Sequence, residues 1–148
     1  MNTHPYLRAY MAGIVVPTVV LLLVLSGFVV ARLVCRVPLA IERVIVFPMA
    51  LVPNMFGLWN MFYLWLRPRP HLPIGLHGAL LPFLLAPCGL ALASGLGFVT
   101  LGSRGLMWLD QLVVPYPYVA VAFAVGLIVY YLVWKYLVGF FNQMLGIA

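Results

Sequence analysis

The run "MAGIVVPTVVLLLVLSGFVVA", residues 11–31, decides what kind of object this chain is. It holds 21 residues without a charge. At 1.5 Å of rise per residue, that is long enough for a helix to cross roughly 30 Å of hydrocarbon. A cleaved secretory signal is the competing reading, since Val29 and Ala31 have the required small-residue spacing. Hydrophobic cores of signals are usually about 7–15 residues long and follow a more basic leader than "MNTHPYLR". The run therefore reads as a retained span over about residues 11–34, with Pro17 inside it.

The composition of the remainder agrees. Of 148 residues, 66% are hydrophobic and 7% charged, with a mean hydropathy of +1.17. Soluble domains carry about 25% charge, and a small domain keeps a large share of its surface exposed. Water would leave much of this apolar surface uncovered, so the expected solvent is lipid. The net charge of +6 comes from eight Lys and Arg against Glu42 and Asp110. These bases sit singly or in pairs at the ends of apolar runs, which fits headgroup anchoring rather than a nucleic-acid patch.

Three more spans follow from the same pattern. Arg32 and Arg36 end the first. "PMALVPNMFGLWNMFYLWL" (48–66) gives 19 uncharged residues, preceded by a leading segment, for a second span over 40–66. "RPRPH" (67–71) cannot be helical, because alternating prolines remove amide donors and restrict their predecessors. The third span is expected over 73–101 with Pro82 and Pro87 inside it, and "GSRGLMWLDQ" (102–111) as a loop. The fourth, 113–136, is bracketed by Tyr116/Tyr118 and Tyr130/Tyr131/Trp134, as an aromatic belt at each interface requires. An interfacial tail over 137–148 completes the expectation. The fold class is thus all-α: a single transmembrane domain over 1–148, four helices, and proline kinks in spans two and three. The expected setting is a bacterial inner membrane. Arg8, Arg67, Arg69 and Lys135 fall on one side, and Arg32, Arg36, Arg43 and Arg104 on the other, so positive charge leaves the orientation tied.

The chemistry-bearing residues are few. Span two opens on Glu42 and Arg43 and carries Asn54 and Asn60. On a helical wheel Arg43 and Asn54 return nearly to one face, with Gly57 leaving room beside them. Pro53 and Pro48 free carbonyls that need donors in lipid, so the amides either repair a bent helix or line a polar pocket. His77, near the start of span three, is the other candidate for that pocket. No second ligand lies three or four residues from it, so neither a metal nor a cofactor is expected. Asp110 with Gln111 is expected to cap span four or pair with Arg104. Cys35 and Cys88 should differ too much in depth for a disulfide and are expected as free core thiols.

Helix association in lipid depends on close approach, and Gly89, Ala93 and Gly97 recur every four residues, as do Ala122 and Gly126. Both rows are expected to pack helices, within the chain or in a homo-oligomer.

A Glu-Arg pair entering span two of four resembles the membrane-associated glutathione and eicosanoid proteins in outline. Val46 and Phe47 then stand where that family continues its motif, and no second carboxylate precedes Asp110. Small multidrug transporters need a carboxylate deep in span one, which holds none. The residues assign the chain to neither family. The poverty of reactive side chains favours a non-catalytic accessory or assembly subunit, whose partners are the bilayer, other membrane subunits or a second copy. A small transporter using Glu42, Arg43, Asn54, Asn60 and His77 is the alternative. An enzyme acting on a lipid-soluble substrate comes last, since no nucleophile–base pair is present.

Overall fold

The computed structural model describes residues 4–36, 41–69, 72–108 and 112–147, with backbone alone over 41–50. Its elements are α1 (Pro5–Leu33), α2 (Ile41–Leu66), α3 (Ile74–Gly95), β1 (Val99–Leu101), β2 (Gly105–Trp108), β3 (Leu112–Pro115), α4 (Tyr116–Leu132), a π-helical turn (Val133–Val138) and α5 (Gly139–Met144). Among the described residues, three helical runs are long and apolar enough to cross a membrane: Pro5–Leu33, Ile74–Gly95 and Tyr116–Met144. The chain divides into two compact units. One comprises residues 1–72 and 136–148, the other residues 73–135.

In the first unit α1 and α2 pack antiparallel, and two glycines set their separation. A Cβ on Gly13 would stand 2.6 Å from the Phe56 carbonyl oxygen, and one on Gly57 would stand 2.5 Å from the Tyr10 ring. Without those methyls the backbones touch, and dispersion replaces the hydrophobic drive that lipid cannot supply. The aliphatic hydroxyls of Thr18 and Ser26 turn back on α1 itself. Thr18 Oγ1 donates to the Ile14 carbonyl at 2.7 Å, and Ser26 Oγ to that of Leu22 at 2.9 Å. Ala9, Ala12 and Ile147 form the core of this unit, flanked by Met61, Leu64, Phe141 and Leu145.

In the second unit α3 and α4 are antiparallel. Phe83 meets Phe123 edge-on, with ring centroids 5.2 Å apart. The sheet between the two helices is a meander of order β1-β2-β3 with both pairings antiparallel.

The chain is mostly helical, as expected, and this small sheet is its one departure from an all-α fold among the described residues. Helix α3 stops at Gly95, and residues 99–115 expected as helix end, loop and helix start contain three strands. Gly97 explains the stop. Its φ is +72°, its N–H bonds the Ser94 carbonyl at 3.1 Å, and the Phe98 N–H bonds that of Ala93 at 2.8 Å. These two bonds are a Schellman ending, in which a left-handed residue turns the chain off the helix. Gly97 is therefore the residue that ends α3, not the third rung of a packing row with Gly89 and Ala93. The same device ends α5: Gly146 has φ +62°, and the Ile147 N–H bonds the Asn142 carbonyl at 2.8 Å. Cys35 and Cys88 are free but exposed, so neither is a core thiol.

Candidate polar sites

The most enclosed polar arrangement described lies in the first unit. Asn60 is fully buried and Asn142 is 3% exposed. Their amides bond reciprocally: Asn60 Nδ2 donates to Asn142 Oδ1 at 2.7 Å, and Asn142 Nδ2 donates to Asn60 Oδ1 at 3.0 Å. The second hydrogen of Asn60 Nδ2 reaches the Ala9 carbonyl oxygen of α1 at 2.8 Å. Three helices are thereby fastened by one two-amide knot. Each amide offers two donors and one acceptor oxygen, and the pair saturates most of that capacity internally. Nearby, the Arg67 guanidinium donates to the Ile147 carbonyl oxygen. A Cβ on Gly146 would stand 2.8 Å from Arg8 Nη2. Within the tail expected at 137–148, α5 thus carries a core residue.

Asn54 is exposed, and its Oδ1 accepts a hydrogen bond from the Tyr10 hydroxyl of α1. The room beside Gly57 is filled by the Tyr10 ring and by Ile14. Glu42 and Arg43 belong to α2 by backbone, and their side chains lie outside the described residues. Asp110, Gln111 and His71 also lie outside them.

His77 sits in the second unit, 3% exposed, and its ring meets that of Trp134 edge-on with centroids 6.0 Å apart. Trp134 is fully buried, and Gly78 makes its seat: a Cβ there would fall 1.9 Å from Trp134 Cγ. The Lys135 ammonium lies over Tyr131, 5.7 Å from the ring centroid. Asn54 and Asn60 therefore belong to one unit and His77 to the other. Among the described residues no group of three or more His, Cys, Asp or Glu could hold a metal ion.

The helix-packing candidates divide as well. Gly89 and Ala93 are partly buried on α3. On α4, Ala122 is exposed, and a Cβ on Gly126 would meet nothing within 4 Å. The glycines that do bring helices together, Gly13 with Gly57 and Gly78 with Trp134, were not the ones the four-residue repeats selected. Ala9 and Gly13 carry that spacing in α1 and were the signal available. Asn142 was missed because an amide in a short apolar tail has no partner visible in sequence. Comparison with protein-family models, with curated proteins and with solved structures gives no match to this chain.

Proposed function

We propose that this chain is a multi-pass protein of a bacterial-type inner membrane, crossing the bilayer four times. It acts without catalysis of its own, as an accessory or assembly subunit that binds other membrane helices. Helix α2 supplies the fourth crossing: 26 residues of helix extend about 39 Å. Pro53, Pro82 and Pro87 lack the amide donor their turns need, and they are the places for kinks in spans two and three.

The observation that carries the reading is the bare small face of α4. No residue of α4 is buried, and Gly126 has open space where a side chain would be. Gly13, Gly57, Gly75 and Gly78 are spent on internal contacts, whereas Gly27 of α1 and Gly95 of α3, like Gly126, have nothing within 4 Å. On α4 the Ala122–Gly126 pair is left for a helix from outside, whether of a second copy or of another subunit. The transport alternative is less well supported, because Asn54 already accepts from Tyr10, and Asn60 is held by Asn142 and Ala9.

The test is association in the membrane. Protein extracted and reconstituted in nanodiscs should carry a second copy or a reproducible co-purifying subunit, and Gly126→Leu should abolish it. A monomer with no companion, unchanged by Gly126→Leu, refutes the reading.

A further inference from the structure

The meander β1–β3 presents a surface that fits neither water nor hydrocarbon. Its register places Val99, Trp108 and Leu112 in one row, and Leu101, Leu106 and Val114 in the next. Directly paired residues share a face, as do residues two apart, so these six line one side of the sheet. That side is wholly apolar, yet Leu101 is 63% exposed, Leu112 60% and Trp108 43%. Such a patch is costly in bulk water.

The sheet cannot solve the problem by sinking into the acyl chains. It is open, with β1 and β3 as edges, and each edge turns a row of backbone donors and acceptors outward. In hydrocarbon every such unsatisfied group costs several kcal/mol, so open sheet edges are not found there. The remaining place is the headgroup layer, where apolar side chains reach down to the acyl boundary and edge amides meet water and phosphate.

The chain also fixes the sheet near that depth. Helix α4 begins at the residue after β3, and β1 begins four residues after the last residue of α3. Helix α3 and the run Tyr116–Met144 that α4 opens are both long and apolar enough to cross a membrane. Tyr116, the first residue of α4, donates from its hydroxyl to the Gly102 carbonyl oxygen at 2.7 Å, which ties the β1–β2 turn to the head of the helix. Tyr116, Tyr118 and Trp108, all exposed, therefore gather at one end of this unit. Aromatic rings with one polar edge concentrate at membrane interfaces. Arg104, exposed on the same turn, can reach phosphate.

We propose that β1–β3 is a membrane-seated sheet whose apolar face rests on the headgroup–acyl boundary of phospholipid. It acts as a fixed float that sets the depth of α3 and α4. This rests on the reading of those helices as spans.

The test places single nitroxide labels at Leu101→Cys, Leu112→Cys and Val125→Cys, each in a Cys35→Ser/Cys88→Ser background. The protein is reconstituted in vesicles of phosphatidylcholine with phosphatidylglycerol, and collision rates with oxygen and with a water-soluble nickel chelate are measured. Val125 lies nine residues into α4, about 13 Å along the axis from Tyr116. Its label should collide with oxygen and hardly with nickel. The labels at 101 and 112 should collide with both at intermediate rates, at a depth about 10–15 Å shallower than Val125. Nickel collision as fast as in free solution at 101 and 112 overturns the proposal, and so does an oxygen-rich depth equal to that of Val125. Protection from both reagents overturns it too, because it would mean that a protein, a second copy included, covers the sheet. In these three cases the membrane reading of α4 survives if Val125 stays deep. A nickel-accessible Val125 removes both readings.

Discussion

Replacing Asn142 by leucine should destabilise the first unit through Asn60 rather than through Asn142 itself. The substitution removes two reciprocal amide bonds of 2.7 and 3.0 Å. It leaves the buried Asn60 with only the Ala9 carbonyl as a partner among these contacts. A buried polar group deprived of its partner costs about 1–3 kcal/mol. Hydrogen bonds between membrane helices are worth less, about 0.6 kcal/mol on average with a maximum near 1.7. Asn142→Leu should thus cost about 1–2 kcal/mol, and Asn60→Leu somewhat more, because the Ala9 bond is lost as well. The double variant leaves no orphaned amide, so its cost should fall short of the sum by about 1 kcal/mol. Asn142→Asp is a sharper probe. It keeps the acceptor that faces Asn60 Nδ2 but sets a carboxylate oxygen against Asn60 Oδ1, and it should cost more than the leucine. Reversible unfolding in mixed micelles, run as a double-mutant cycle, reads all four quantities. Additivity of the two leucine variants within about 0.3 kcal/mol would refute the knot as a coupled unit.

Four further outcomes follow from the glycines. Gly13→Ala should cost about 1–3 kcal/mol in the same unfolding assay, because its methyl meets the backbone of Phe56 and Gly57. Gly126→Ala should stay within about 0.5 kcal/mol, because nothing lies within 4 Å. Gly97→Ala should cost about 1–2 kcal/mol for forcing a side chain into a left-handed residue, and Gly97→Asn should recover part of it, read by the same unfolding. Gly78→Ala should displace the buried Trp134 ring, seen as a changed emission maximum in a protein retaining only that tryptophan.

The helical runs were legible because hydropathy over about 20 residues is the signal that lipid selects for. Residues 99–115 were not, because their strands are three or four residues long, and an apolar run that short reads equally as helix or strand. The signals available were the β-branched Val113 and Val114 and a Gly-Ser-Arg-Gly turn flanked by apolar residues. Gly97 shows the limit of spacing arguments. It continues the four-residue row of Gly89 and Ala93, yet its positive φ removes it from the helix altogether. Of the polar candidates, Asn60 was identifiable as an amide in a greasy helix, but its partners are 82 and 51 residues away in sequence. No local pattern encodes a meeting over that distance. Tyr10, which bonds Asn54, escaped for the same reason.

If α1 and α4 are spans, acyl chains and not water touch their exposed apolar faces. Carbene labelling from a lipid-dissolved diazirine, mapped residue by residue on the reconstituted protein, tests it most directly. Label is expected on Val19, Leu22 and Leu23 of α1 and on Val121, Val125, Ile128 and Leu132 of α4, all exposed. The buried Ala9, Asn60 and Trp134 should stay unlabelled. Labelling of those α1 and α4 faces by a water-borne diazirine instead would contradict it.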